Sequence, residues 1–484
     1  MNASNNQMHG VFPKFSFSAI SFKGSSLPHF RPTGMVLDLS RNKISGSVVF
    51  LCQTKEWELI DLSDNLLFDE IPDCFVNFEK LRYLNLANNH FSGMIPRSFG
   101  LLSALSLLHL RNNIFSGELP TSMRNCTKLK MIDLGENNLT GKIPAWIGNS
   151  FPQLQVLILR SNEFYDNIPS DLCSLAYIHI LDLSSNRISG AIPECVDDYV
   201  SMTENFYRWF PTGSTTFGFP IEGHAYQLDT STLESAYFMW KGKEVKYISH
   251  LGLVKLIDLS SNNLVGKIPS NITKLVSLVG LNFSRNNLTG PLPPNIGQLK
   301  SLNFLDFSRN HLSGSIPSRL SDLSHLGVLN LSYNNLSGRI PQSSQALTFD
   351  ESSYSGNSGL CGKPLNKSCL ENEAHLNPNS SIDVNNVEDE SEDDKIITEG
   401  FYIAIGLGFI VGFWGIFGTV LLNKELRFVF FKGFDTFIDF AYLRMELGKA
   451  YMLRHFQNRL VLIKLSIMLE LSFPILIYKL HLYM

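Results

Sequence analysis

Aspartates recur in this chain at one position of a repeated pattern, each following the first apolar residue of a short hydrophobic stretch. They are Asp61, Asp133, Asp182, Asp258 and Asp306. A row of stacked carboxylates could serve acid–base catalysis. However, the repeat that contains these aspartates explains their spacing fully, and no set of His and Cys residues has the spacing of a metal site. We therefore predict that the chain is not an enzyme and has no cofactor, with the aspartates on an exposed face.

The elements that position these residues are marked by an asparagine that ends the pattern L-x-L-x-x-N. Its steps are 23 to 25 residues, apart from one step of 76, at Asn42, Asn65, Asn89, Asn113, Asn137, Asn162, Asn186, Asn262, Asn286, Asn310 and Asn334. This period is the signature of a leucine-rich-repeat solenoid. Each L-x-L predicts a short strand with two side chains in a shared core. The asparagines predict a buried ladder that binds the backbone of its own turn and the next.

A second motif, L-x-G-x-I-P, follows each ladder position, as in residues 139–144 and 312–317. Glycine permits a bend out of the strand, and proline then fixes an extended path. The motif resembles the plant-specific class of these repeats, which carries a second sheet on one flank. We therefore predict an α/β, β-rich solenoid of this type over roughly residues 35–345.

The step of 76 residues exceeds one repeat by 52, which predicts an inserted island at about residues 198–250. Aromatic residues are frequent there, and aromatic residues in long loops often form recognition surfaces. The alternative is that the rings only pack the island onto the solenoid. Candidate contacts with a ligand or partner are Trp209, Tyr226, Tyr237, Trp240 and Lys241, together with Arg111, Arg160 and Arg285 of the concave face.

Cysteines and N-x-S/T sequons favour a secreted protein. Cys361 and Cys369 flank a segment after the last repeat and predict a disulfide-fastened cap. Cys52/Cys74 and Cys173/Cys195 are each 22 residues apart, about one turn, so they form either two further disulfides or four buried thiols. Cys126 is expected to be a buried free thiol. Predicted glycosylation sites are Asn125, Asn138, Asn271, Asn282, Asn287, Asn330, Asn335, Asn366 and Asn379.

Residues 401–422 contain no charged side chain and, at 1.5 Å per residue, span about 33 Å as a helix. Seven acidic residues precede this span within residues 387–400, and Lys424, Arg427 and Lys432 follow it. The positive-inside rule predicts a single-pass type I plasma-membrane protein with the repeats outside. Ala404, Gly408 and Gly412 offer a smooth face for packing against another membrane helix.

The predicted organisation contains eight segments. They are an irregular leading repeat at 1–34, repeats at 35–197, the island at 198–250, repeats at 251–345, a cap at 346–370, an acidic linker at 371–400, the membrane helix at 401–422 and a cytoplasmic tail at 423–484. The tail contains none of the protein-kinase motifs, so signalling would pass through other proteins. Residues 1–30 show no secretory signal, and residues 6–13 fit the second half of a repeat. We interpret the sequence as the C-terminal portion of a longer receptor.

One group of segments resembles plant receptor-like proteins, in particular the receptors for the ethylene-inducing xylanase elicitor. The segments that carry the resemblance are residues 239–244, residues 251–260, the cap at 356–362 and the membrane segment at 406–415. It covers about residues 1–458. This sequence departs from the pattern of that family in three respects. It lacks the signal peptide and the N-terminal repeats, it has Thr232 where relatives often have tyrosine, and its sequence after Asn458 is atypical.

The resemblance implies a kinase-less cell-surface receptor that binds a microbial or plant polypeptide elicitor and signals in defence through receptor kinases acting as co-receptor and adaptor. The net charge of −4 gives no reason to expect nucleic acid. Two alternatives are a cell-wall enzyme inhibitor of the polygalacturonase-inhibitor type and a truncated, non-functional relative. The membrane span and the island favour the receptor, because such inhibitors normally lack both.

Overall fold

The computed structural model describes residues 4–6, 8–11, 35–53, 55–203, 217–221, 224–228, 235–240, 243–248, 254–342 and 348–369. The chain divides into two compact units, Met1–Cys369 and Leu370–Met484. The predicted acidic linker, membrane span and tail lie outside the described residues. Within the described ranges, no helix is both long and apolar enough to cross a membrane.

An eleven-stranded parallel sheet forms one face of the solenoid, with one short strand from each turn. Its strands, in spatial order, are β2 Met35–Asp38, β4 Trp57–Asp61, β6 Tyr83–Asn85, β8 Leu107–His109, β10 Met131–Asp133, β12 Val156–Ile158, β14 Ile180–Asp182, β20 Leu256–Asp258, β22 Gly280–Asn282, β24 Phe304–Asp306 and β26 Val328–Asn330. We refer to the surface of this sheet that faces away from the core as the concave face. The predicted leucine-rich-repeat solenoid is confirmed.

The ladder asparagines are buried and bond to two turns at once. The Nδ2 of Asn89 donates to the carbonyl oxygens of Leu86 at 3.1 Å and Leu62 at 2.9 Å, and its Oδ1 accepts from the backbone N–H of Leu67 at 3.0 Å. Leu62 and Leu67 belong to the preceding turn. The expected partner turn was the following one, so the direction of that prediction was wrong. Because these backbone groups are buried, the ladder meets hydrogen-bonding needs that the short strands leave open.

Further parallel strands line the flank that the L-x-G-x-I-P motif predicted. One sheet contains β1 His9–Val11, β3 Lys43–Gly46, β5 Leu66–Glu70 and β7 His90–Ser92; the second contains β9 Ser116–Gly117, β11 Asn138–Lys142, β13 Glu163–Asn167 and β15 Arg187–Ser189; the third contains β21 Val265–Gly266, β23 Asn287–Pro291, β25 His311–Gly314, β27 Asn335–Arg339 and β28 Gly359–Cys361. We call this surface the second-sheet flank. Its motif glycines have positive φ, for example 96° at Gly141, which favours glycine over other residues.

Short helices occupy the side opposite the main sheet. Among the residues that the structure describes, two of them are α-helical, α1 Trp146–Ser150 and α2 Val200–Thr203. The others are 3₁₀ turns at Val49–Gln53, Phe75–Asn77, Arg97–Leu101, Thr121–Asn125, Ser170–Ser174, Glu194–Asp198, Ser270–Lys274, Ile296–Gln298, Ser318–Asp322 and Glu351–Ser353. One core of leucine, isoleucine and phenylalanine side chains runs the length of the solenoid from Leu37 to Leu360. Stacking of the turns buries apolar side chains that a single turn would leave exposed to water.

The main sheet is continuous across the long step in the repeat. β14 pairs with β20, and the Nδ2 of Asn262 donates to the carbonyl of Leu183 at 3.0 Å. The chain between these turns contains two antiparallel hairpins, formed by β16 Phe217–Ile221 with β17 His224–Leu228 and by β18 Ser235–Trp240 with β19 Lys243–Ile248.

The predicted start of the island, at residue 198, was too early. Tyr199 and Met202 are buried in the solenoid core, and the backbone N–H of Ser201 donates to the carbonyl of Ala176. Residues 198–203 therefore complete the seventh regular turn. Their apolar side chains occupy the positions that Leu175 and Ile178 fill one turn earlier.

The solenoid also continues into the predicted cap. β28 pairs with β27, and Asn357 is a twelfth ladder residue, whose Oδ1 accepts from the backbone N–H of Leu336 at 3.0 Å. Its Nδ2 donates to the carbonyl of Leu331 at 3.0 Å. The cap is thus a further, disulfide-closed turn that covers the exposed end of the core.

Candidate ligand-recognition surface

Apolar side chains on the concave face form a second buried cluster, separate from the main core. Its strand residues span β4 to β20 and are Leu59, Tyr83, Leu107, Met131, Val156, Ile158, Ile180 and Leu256. Ala236 of β18 belongs to the same cluster, and Tyr247 of β19 packs against it. The second hairpin therefore lies on the concave face, and the face that usually meets solvent is closed there by the chain itself.

Tyr237 of the same hairpin contacts a charged group of the concave face. The guanidinium carbon of Arg111 lies 4.0 Å from the centre of the Tyr237 ring, a cation–π distance. Nη2 of Arg111 also donates to Oε1 of Glu136 at 2.7 Å, and Arg160 approaches the same oxygen at 3.7 Å. Arg111 is only 6% exposed, so these contacts lie where water screens them poorly.

Three aspartates of the same face are buried, and the charges of these arginines act on two of them, Asp133 and Asp182. Burial raises the pKa of Asp133 to about 7, against the opposing effect of Arg111. Burial, and then the charge of Asp182, raises the pKa of Asp258 to about 7. Burial also raises the pKa of Asp182, whose register partner in the sheet is Asp258. The expectation of an exposed acidic row is wrong for Asp133, Asp182 and Asp258, because this part of the face is covered.

The aspartates of the row share a structural role. Oδ1 of Asp182 accepts from the backbone N–H of Ser184 at 3.0 Å and from its hydroxyl at 2.5 Å, and Asp258 accepts from the backbone N–H of Ser260 at 2.9 Å. Asn282 has the same position and bonds, accepting from the N–H of Ser284 at 3.1 Å. Each side chain thus closes the turn after its strand. The repeat accounts for the row, as predicted from the sequence.

A buried histidine, His179, lies directly before β14. Burial, and next the charge of Lys255, lowers the pKa of His179 to about 4. Burial also lowers the pKa of Lys255. Sequence reasoning had not singled out either residue, nor Glu136 or Ala236, because nothing in a repeat pattern indicates which concave positions another segment covers.

The predicted contact residues separate into four groups. Tyr237, Arg111 and Arg160 meet in the cluster around Glu136, whereas Arg285 is exposed two strands beyond β14 in the sheet. For Tyr226 and Trp240 the structure describes only the backbone, in β17 and β18. Trp209 and Lys241 lie outside the described residues.

One column of non-glycine residues with left-handed backbone precedes the ladder, and its two ends differ. Near the N-terminus, the amide of Asn88 donates to Asp64 at 2.6 Å, and that of Asn112 donates to Asn88 at 3.0 Å. Near the C-terminus, the Arg309 guanidinium stacks on Tyr333 at 4.6 Å. The described members, with φ between 53° and 56°, are Asn5, Arg41, Asp64, Asn88, Asn112, Glu136, Ser161, Ser185, Ser261, Arg285, Arg309 and Tyr333.

The cysteine pairs are joined in the structure as Cys52–Cys74, Cys173–Cys195 and Cys361–Cys369. The first two link neighbouring turns on the side of the short helices, and the third closes the cap. Cys126 is a buried free thiol whose Sγ contacts the carbonyl of Phe99 at 3.1 Å. Burial raises the pKa of the Cys126 thiol to about 11, so it stays protonated and unreactive at neutral pH.

The predicted glycosylation sites differ in accessibility. Exposed asparagines are Asn125, Asn138, Asn287, Asn335 and Asn366, while Asn271 and Asn330 are half-buried and Asn379 lies outside the described residues. The side chain of Asn282 is buried, and its Nδ2 donates to Oδ2 of Asp258 at 3.0 Å, so Asn282 is the least accessible asparagine among the described sites.

Comparison with known proteins supports this interpretation of the fold. The leucine rich repeat family matches residues 57–115, 128–150, 177–198, 254–275, 277–299, 301–323 and 325–347. A plant peptide hormone receptor, RGFR1 in complex with RGF2, superimposes with a TM-score of 0.53 at 28% identity, over 66% of this chain and 43% of that chain. The Arabidopsis receptor kinase HAESA, in complex with the peptide hormone IDA and the co-receptor SERK1, superimposes with a TM-score of 0.50 at 27% identity, over 68% and 50%.

Two curated relatives come from Solanum lycopersicum. Receptor-like protein EIX2 is 45% identical over 444 residues, which are 89% of this chain and 42% of the relative. Receptor-like protein EIX1 is 57% identical over 196 residues, which are 40% of this chain and 19% of the relative. The chain thus spans less than half the length of either relative. Over the length that it shares with them, the chain belongs to the plant leucine-rich-repeat receptor-like proteins.

Proposed function

We propose that the chain is the ligand-recognising part of a kinase-less cell-surface receptor. It recognises an extracellular microbial or plant polypeptide elicitor and signals in defence through partner receptor kinases. The observation that carries the proposal is the hairpin β18–β19 lying on the concave face, with Tyr237 against Arg111. A surface built from an aromatic residue, a buried arginine and a rigid sheet has the composition of a protein-binding hot spot.

The relatives support the class of ligand and partner. The two tomato relatives carry the name receptor-like protein, and the similar receptor ectodomains are bound to peptide hormones, one of them together with a co-receptor. By analogy, this chain binds a polypeptide and then a co-receptor kinase. The segment after Thr203 acts as the recognition island, with a later start than its sequence alone predicted.

Anchoring remains part of the proposal. Residues 401–422 cross the plasma membrane once, with the repeats outside, the acidic linker at 371–400 next to the membrane and the tail at 423–484 inside. Ala404, Gly408 and Gly412 form the face on which a partner's membrane helix packs. The support for these statements is the apolar sequence and the charge difference across it.

The test is binding of a labelled fungal ethylene-inducing xylanase to the full chain, expressed behind a secretory leader on plant cells. Replacing Tyr237 by alanine removes the ring that contacts Arg111 and should weaken binding by about tenfold or more, as expected for an interface hot spot. The matched control is Tyr165→Ala, since Tyr165 is 44% exposed in β13 on the second-sheet flank.

Equal binding by the two variants would contradict the proposed site. A chain that reaches the cell surface without binding the xylanase would exclude this elicitor as the ligand. Surface biotinylation measures the amount of each variant and separates lost binding from lost display.

A further inference from the structure

The eight described sequons fall on different surfaces of the solenoid. Asn282 and Asn330 are strand residues of the main sheet, on the concave face. Asn138, Asn287 and Asn335 are the first residues of β11, β23 and β27 on the second-sheet flank, each directly after a ladder asparagine. The remaining described sequons lie at the short helices or in the cap: Asn125, Asn271 and Asn366.

The amides on the concave face are engaged in the fold. Nδ2 of Asn282 donates to Asp258 at 3.0 Å while its Oδ1 accepts from the hydroxyl of Ser284 at 2.8 Å. Nδ2 of Asn330 donates to Asp306 at 3.3 Å, and its Oδ1 accepts from the hydroxyl of Ser332 at 2.7 Å. In both sequons the hydroxyl that oligosaccharide transfer requires is therefore bound within the turn.

The flank asparagines have the opposite surroundings. All three side chains are exposed, and no hydrogen bond to them occurs within the part of the chain that the structure describes. The equivalent position in other turns holds surface residues such as Lys43, Glu163 and Arg187. A large polar group at this position therefore projects into solvent without disturbing the sheet.

We propose that Asn138, Asn287 and Asn335 carry N-linked glycans in one column on the second-sheet flank, and that Asn282 carries none. In each transfer, a bond forms between Nδ2 and C1 of the sugar of a lipid-linked oligosaccharide diphosphate. The lipid diphosphate leaves, and Nδ2 gives up one proton to the transferase.

In the turns that carry these glycans, the column shields the second-sheet flank from large protein partners. Arg285 and Tyr333 lie two residues before Asn287 and Asn335, so the glycans also crowd that edge. The concave face carries no glycan at Asn282, so a glycan does not cover the end of β22. This inference is independent of the ligand's identity, and its failure would leave the proposed binding role of Tyr237 untouched.

The experiment uses the full chain with a secretory leader in plant cells, and counts glycans by stepwise glycosidase digestion and site-resolved mass spectrometry. Thr140→Ala, Thr289→Ala and Ser337→Ala each remove one flank sequon and should each remove one glycan. Ser284→Ala, which removes the sequon of Asn282, is the matched control and should remove none. Its position holds Ala87 and Gly135 in other turns, so the variant should fold.

A flank variant that loses no glycan would overturn the column, and a glycan lost on Ser284→Ala would overturn the exclusion of Asn282. Mass spectrometry of the unmodified chain gives a second readout that needs no variant. Occupied Asn138, Asn287 and Asn335 with unoccupied Asn282 supports the proposal, and any other pattern at these four sites contradicts it.

Discussion

Two stretches of the concave face share one scaffold and differ in what meets them. From β4 to β20 the apolar side chains form a buried cluster with Ala236 of the hairpin. In the stretch from β22 to β26 the three strands end at Asn282, Asp306 and Asn330, and the side chain of Val328 is half-buried. The ladder bonds are the same in both stretches. The repeat therefore fixes the backbone, and the residues between the leucines decide whether a stretch is covered by the chain or faces outward.

The largest expected effect is on the free energy of unfolding, and it tests whether the ladder asparagines contribute equally to stability in the two stretches. Asn137→Ala and Asn286→Ala each leave one buried N–H, of Phe115 or Leu264, without its acceptor and remove one side-chain donor from each of three carbonyl groups. Each should lower the free energy of unfolding by about 3–5 kcal/mol, because the unmet N–H costs about 1–3 kcal/mol and each lost hydrogen bond to a carbonyl about 0.5–1.5 kcal/mol. Denaturant unfolding measures the change, with the exposed Asn138→Ala as control. A much smaller loss in one stretch would disprove a uniform ladder.

The next prediction separates the covered stretch from the open one. Ala236→Glu places a charge in the buried cluster, where an unpaired charge is strongly unfavourable. The hairpin should leave the concave face, and cleavage within residues 204–253 by a protease should become about tenfold faster or more, as expected when a local contact opens. The equivalent change on the open stretch, Val328→Glu, should leave this rate unchanged. Equal rates in the two variants would mean that Ala236 does not hold the hairpin.

Stability should fall as pH rises, because of the covered aspartates. The folded-state pKa of Asp133 and Asp258 is about 7, while a carboxyl in an unfolded chain has a pKa of about 4. Between these values the folded protein retains protons that the unfolded chain has released, so stability decreases from about pH 4 to pH 7. Between pH 5 and pH 7.5 each of the two aspartates lowers the free energy of unfolding by about 2.5 kcal/mol, whereas His179, whose pKa falls to about 4 in the folded protein, raises it by about 2 kcal/mol. We therefore expect the free energy of unfolding to be about 3 kcal/mol lower at pH 7.5 than at pH 5.

The variant that sharpens this prediction is Asp258→Asn, which copies the residue that β22 and β26 already contain. It keeps the acceptor for Ser260 and removes one titrating group, so the pH dependence should become shallower. Denaturant unfolding at several pH values measures the slope. An unchanged slope would show that Asp258 does not contribute to it.

The smallest effect concerns the left-handed column. Arg285 has a φ of 55°, a conformation that asparagine adopts more readily than arginine. Arg285→Asn should raise the free energy of unfolding by about 0.5 kcal/mol. The reverse change in the other stretch, Asn112→Arg, should lower it, since Asn112 also donates to Asn88. Thermal unfolding of both proteins gives the sign, and a destabilised Arg285→Asn protein would indicate a contact that stabilises the arginine.

The sequence predicted the parts of the fold that repeat. The ladder residues and the strands of both faces follow from local spacing, because each turn solves the same packing problem. Asn357 could also have been found, since it lies 23 residues after Asn334. It was hidden by the cap motif that surrounds it.

The parts that the sequence could not predict involve contacts without a period. Tyr237 and Arg111 are 126 residues apart, and nothing in either local sequence indicates that they meet. The pKa values of Asp133 and Asp258 depend on the same coverage. Asp61 and Asp306 have the same local pattern and remain partly accessible, so burial at this position is set by tertiary structure.

The backward direction of the ladder bonds has a consequence for synthesis of the chain. In the described turns before the cap, one backbone N–H has its acceptor in the asparagine of the following turn, and one carbonyl gains its second side-chain donor from that asparagine, as Leu67 and Leu62 do from Asn89. Each turn therefore waits for about 24 more residues to be translated. After the turn of Asn186, however, the carbonyl of Leu183 and the N–H of Ile188 wait for Asn262. A ribosome must therefore add 76 residues before the seventh turn is closed, and during that interval the growing end of the solenoid is open to chaperones or to misplaced strands.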